Sequence, residues 1–124
     1  MGYLHFASIA AGRFGMTQFA CDIGDIAECL FEIFPDDHYT IGRGHTLLAL
    51  FIGHLKTHIG AQIPVLQKAM EATVLSGDRI LSILNLGICA AFKVWTSHDL
   101  SEVEAFVNEA PMEFQNWQQD LRGG

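Results

Sequence analysis

Residues 59–76 read IGAQIPVLQKAMEATVLS. Ile59, Ile63, Leu66, Met70 and Val74 recur at steps of three or four, with Gln62, Gln67, Lys68 and Glu71 between them. A helix with 3.6 residues per turn brings such positions onto one face, so the segment is predicted to be an amphipathic helix. Gly77 closes it, because glycine tolerates the left-handed backbone at which many helices stop. Pro64 falls near the first turn and a half, where its ring bends the start or moves it a few residues later.

The pattern changes on either side. Residues 38–56 contain Leu47, Leu48, Ala49, Leu50, Phe51 and Ile52, which leave almost no polar face. Residues 78–96 behave the same way through Ile80, Leu81, Ile83, Leu84, Leu86 and Ile88, with Asp78 as a good N-cap. A helix apolar all round must be packed on most sides. No segment alternates with period two between hairpin signals, so strands are not expected.

Greasy and amphipathic segments take turns, and the amphipathic ones repeat. Phe19, Ile23, Ile26 and Leu30 stand 40 residues before Ile59, Ile63, Leu66 and Met70, while Leu100, Val103, Val107 and Ala110 follow Ile59, Gln62, Leu66 and Ala69 by 41. RFGMT, LKTHI and TSHDL separate a greasy helix from an amphipathic one, and Pro35–Asp37 and Ser76–Asp78 supply breakers between units. The predicted fold is all-α, with about six helices paired as antiparallel hairpins over 1–35, 36–77 and 78–124. The hairpins are expected to stack as a short tetratricopeptide-like α-solenoid, because each unit buries its apolar face only against the next.

Composition narrows the function. With 124 residues the chain suits one domain, and 50% apolar against 17% charged residues implies surface that meets a partner or a neighbouring domain. A net charge of -7 without a basic run speaks against nucleic acid, whose phosphates need clustered Lys and Arg. Cys21, Cys29 and Cys89 form no CxxC pair and are expected to be buried thiols in a reducing compartment. MGYLHFASIAAGRFG has no basic leader, and Phe6 stands where a myristoylation signal wants Ser or Thr. TLLALFIG and ILSILNLGICAAF fall short of a membrane span. A cytoplasmic location without membrane contact is expected.

Each candidate chemical motif has a plainer explanation. In SHDL, residues 97–100, His98 precedes an acidic residue as in a phosphoacceptor helix, yet it falls on a helix-to-helix corner. Asp99 with Glu102 three residues later reads as a capping box worth about 1 kcal/mol. His54 and His58 have metal-ligand spacing but no third ligand nearby. His5, His38 and His45 are single. Gly42 and Gly44 around Arg43 make a GxG without a preceding strand, better explained by close packing and by Arg43 meeting an acid. Asp36, Asp37, Glu102 and Glu104 fit caps and wet faces. No GxxxxGK[ST], HRD, DFG or GxSxG occurs. Phe92, Trp95, Phe106, Phe114 and Trp117 read as core, with a partner groove as the second explanation, and the terminal LRGG belongs on a β-grasp fold that this chain does not resemble. No catalytic, cofactor-binding or metal residue is therefore assigned.

The run from His38 through Gly87, continuing in HDLSEVEAF and EAPMEFQNWQQDLRGG, resembles the helical-repeat region of large fungal hybrid histidine kinases. Those proteins, similar also to cyanobacterial counterparts, carry protein-kinase-like and AAA-type ATPase domains before the repeats. A GAF domain, a histidine kinase core and often a receiver follow. The resemblance covers essentially the whole chain but includes no catalytic signature. It implies a non-catalytic connector within a phosphorelay kinase, contacting neighbouring domains or another protein, and self-associating through exposed terminal helices when isolated as a fragment. The alternative is a small phosphotransfer module using His98 or His54. A ligand-sensing helical bundle is a third reading.

Overall fold

The computed structural model describes residues 2–96 and 99–109. Within them the chain is all-α and without strands. Helix α1 (Gly2–Phe14) turns at Gly15, whose φ of 67° suits glycine, into α2 (Thr17–Ile33). Helix α3 (His38–Leu47) runs through a π turn (Leu48–Ile52) into α4 (Gly53–Lys56), forming one rod. A 3-10 turn (Ile59–Gln62) leads into α5 (Ile63–Leu75), followed by α6 (Arg79–Thr96) and α7 (Leu100–Asn108).

The ends obey local chemistry. Asp37 caps α3 by accepting from Thr40 N–H at 3.1 Å, and Asp78 caps α6 by accepting from Leu81 N–H at 3.2 Å. Helix α5 starts at Ile63 with Pro64 in its first turn, where the missing N–H costs nothing. It stops in a Schellman motif: Asp78 N–H donates to Thr73 O at 2.9 Å and Gly77 N–H to Val74 O at 3.0 Å, with Gly77 at φ 74°. Asp99 accepts from Ser101 N–H at 2.9 Å, so the acid after His98 does cap a helix.

Two apolar clusters fill the interior. Leu4, Ala7, Ala20 and Ala27 of the first hairpin pack with Leu48 and Ile52, while Ala49 joins Leu66, Cys89 and Phe92. The π turn thus sends neighbouring side chains into different clusters. Its signature is Gly53 N–H donating five residues back, to Leu48 O. A polar seam, buried at Thr46, Thr73, Ser82 and Asn85, ties α3 and α5 to α6. Thr46 Oγ1 lies 2.9 Å from Asn85 Oδ1, Ser82 Oγ donates to Thr73 Oγ1 at 2.9 Å, and Arg43 pairs with Asp78 at 2.9 Å.

The hairpins do not dock equivalently. Helix α5 packs along α6 over much of its length, whereas α2 meets the second hairpin mainly at the π turn and α4. There Gly24 lets Ile52 and Leu48 approach, since an added Cβ would stand 3.1 Å from Ile52 Cγ2. Lys56 pairs with Asp25 beside that contact.

Candidate interaction surface

His98, Phe114, Trp117 and LRGG lie outside the described residues. His54 is exposed on α4, and His58 Nδ1 accepts from Gly60 N–H at 3.1 Å, so one of the pair serves as a turn cap. Among the described residues no three His, Cys, Asp or Glu side chains gather as a metal site. His5 is exposed and His38 half-buried.

The IGRGHT segment is a packing device. A Cβ at Gly42 would meet Thr73 Cγ2 at 2.6 Å, and one at Gly44 would meet the Phe31 ring at 2.0 Å. Arg43 pairs with Asp78 and lies 4.5 Å over the Tyr39 ring. His45 stands 4.8 Å from the Phe31 ring, and burial holds its imidazole below the usual range.

The cysteines depart from expectation. Only Cys89 is buried, and desolvation pushes its thiol up to about 11. Cys29 is exposed and Cys21 half-buried on α2. The aromatic residues divide in the same way: Phe92 is buried in the second cluster, while Trp95 stacks on it at 5.9 Å and stays 70% exposed. Against the expectation that its apolar run falls short, helix α6 is long and apolar enough to cross a membrane by length and composition, yet its Ser82 and Asn85 are buried against Thr73 and Thr46.

The unequal docking opens an apolar groove of about 430 Å³ between α1, α2 and the start of α3. Tyr3 and Leu4 form one wall, Ile26, Leu30 and Phe34 the floor along α2, and Ile41 the far side. Ile26 is 56% and Leu30 47% exposed. Their counterparts 40 residues later, Leu66 and Met70, are buried and half-buried. Equal periodicity in sequence therefore hides unequal burial, and this surface has no separate signal in the residue pattern. The polar groups lining it, Asp37 and Thr40, are occupied with each other through the α3 cap. Hydrogen bonding to Thr40 also lowers the Asp37 carboxyl below its ordinary range. Such a groove can bury apolar side chains but offers little to orient a polar metabolite.

Comparison with known protein families, with characterised proteins and with solved structures finds no match.

Proposed function

We propose that the chain is a non-catalytic helical scaffold, a connector of a multidomain phosphorelay kinase of the kind its sequence resembles. On this reading its hairpins stack as a short solenoid in the cytoplasm and hold neighbouring domains or another protein. The observation that carries it is the open apolar groove on an all-helical body, since exposed contiguous apolar surface marks interaction sites. A second apolar strip, Ile80, Leu84 and Trp95 on the outer side of α6, offers a surface for self-association of the isolated chain.

The exposed imidazole of His54 keeps phosphotransfer as the competing reading. Incubation with a phosphorylated receiver, and separately with an active histidine kinase core and ATP, tests the choice. The scaffold acquires no acid-labile phosphate. Labelling that disappears in His54→Gln or His98→Gln overturns it.

A further inference from the structure

We propose that Phe31 and His45 form a pH-operated latch: protonation of the imidazole lifts the last turns of α2 off α3 and reshapes the groove between them. The latch belongs to the joint between the first two hairpins and stands apart from the scaffold reading.

The joint is thin where the latch lies. From Glu28 to Ile33 every side chain of α2 is exposed except Phe31, which is half-buried. Phe31 rests on Gly44, where an added Cβ would run into its ring, and on His45, with ring centroids 4.8 Å apart and planes tilted by 58°. Earlier in α2 the fastenings are of another kind, Gly24 against Ile52 and Leu48, and Asp25 paired with Lys56. The last turns therefore reach α3 through one aromatic side chain, and part of its seat is a residue that titrates. Phe31 also lines the groove, beside Leu30 and Phe34.

The surroundings of His45 suit only the neutral ring. Among the described residues its Nδ1 is buried and has no hydrogen-bond partner. A neutral imidazole carries its proton on Nε2 and leaves Nδ1 as an unused acceptor, whereas the charged ring must bury an N–H donor with nothing to receive it. No compensating acid stands close. The residues one turn away on α3 are Ile41, Gly42, Leu48 and Ala49. On α2, Glu28 and Glu32 flank Phe31 but are exposed, and on α5 Glu71 is exposed while Lys68 opposes a positive imidazole. A charged ring is attracted to the Phe31 face, yet burial and Lys68 outweigh this and hold His45 below its ordinary range. The latch is thus shut at neutral pH. Because His45 is only half-buried, the charged ring reaches water by a short rotation, and that rotation removes the surface on which Phe31 rests.

Hydrogen exchange of the full chain is followed by mass spectrometry at steps from pH 7.5 to 5, with rates corrected for the intrinsic effect of pH. Amides of α2 after Ala27 exchange at least about threefold faster at the acid end, while α5 and α6 keep their protection. His45→Gln, which cannot take the proton, removes the pH dependence. Lys68→Gln moves the onset to higher pH, because a like charge has gone. Phe31→Ala exchanges fast in α2 at every pH. Equal corrected rates across the series, faster exchange spread evenly over all helices, the same pH dependence in His45→Gln, or an onset that Lys68→Gln leaves in place would each overturn the latch. Failure here leaves the phosphate test unaffected, so loss of the latch and loss of the scaffold reading are distinguished.

Discussion

Two glycine-to-alanine substitutions, Gly42→Ala and Gly87→Ala, should shift stability in opposite directions. Both glycines lie inside helices, where alanine is better by about 1 kcal/mol because it loses less backbone freedom on folding. At Gly87 an added Cβ meets nothing within 4 Å, so that gain is realised in full. At Gly42 the methyl would stand 2.6 Å from Thr73 Cγ2, 3.1 Å from Thr73 N and 3.4 Å from Ala69 O.

Rotation of the Thr73 side chain offers little relief. Its hydroxyl donates to Met70 O at 2.8 Å and accepts from Ser82, and the other two obstacles are backbone atoms of α5. Helices α3 and α5 must separate, an overpacking cost of about 1–3 kcal/mol that outweighs the propensity gain. Gly42→Ala is expected to lose up to about 2 kcal/mol net and Gly87→Ala to gain up to about 1 kcal/mol. Each kcal/mol corresponds to roughly 3–5 °C in Tm at this chain length. Urea unfolding followed by circular dichroism, with thermal melts at several concentrations, measures both. If Gly42→Ala proves as stable as Gly87→Ala, α3 and α5 do not approach as described, and the packing explanation of the GRG triplet fails.

Further expectations concern single side chains. Asp78→Ala removes a helix cap and the partner of Arg43, and should cost about 1–2 kcal/mol in urea unfolding. Most of that belongs to the cap, because the Arg43 side chain is 42% exposed and its pairing is screened by solvent; Arg43→Met should cost less than half as much. Maleimide labelling near pH 8 should modify Cys29 quickly and Cys89 only on unfolding, since Cys89 is buried and its thiol lies near 11. Comparable rates for the two would refute the burial. His45 sits below the ordinary 6.5, with burial as the larger cause and Lys68 as the lesser. The unfolded chain therefore binds this proton more readily than the folded one. The contribution of neutral His45 is complete above about pH 6.5 and falls as pH drops through that value toward the lower folded one. His45→Gln should flatten this part of a stability profile measured between pH 7.5 and 5, and an unchanged slope would count against it.

Helix content was legible because 3.6-residue periodicity and local chemistry carry it. Ile59 to Val74, the caps at Asp78 and Asp99, and the stop at Gly77 depend on residues within a turn of one another. The roles of the IGRGHT segment were half legible. Two glycines flanking an arginine announce close approach and an ion pair, but Phe31, Thr73 and Asp78 as the partners lie 13 to 35 residues away. The groove was not legible. Ile26 and Leu30 are indistinguishable by pattern from Leu66 and Met70, because periodicity states which side of a helix is apolar and not whether anything covers it.

By itself, then, the sequence determined where helices start and stop, and which face of each amphipathic rod is greasy. Hydrogen bonds within one turn and the spacing of side chains around an axis require no knowledge of the rest of the chain. The tertiary structure decided the π turn in the apolar stretch at Leu48, the exposure of Cys29, and the lean of the first hairpin toward Ile52 and Lys56. These follow from which surfaces of distant helices can approach. The Gly24 notch permits contact on one face of α2 near its middle, while the apolar strip through Ile26 and Leu30 on another face remains open.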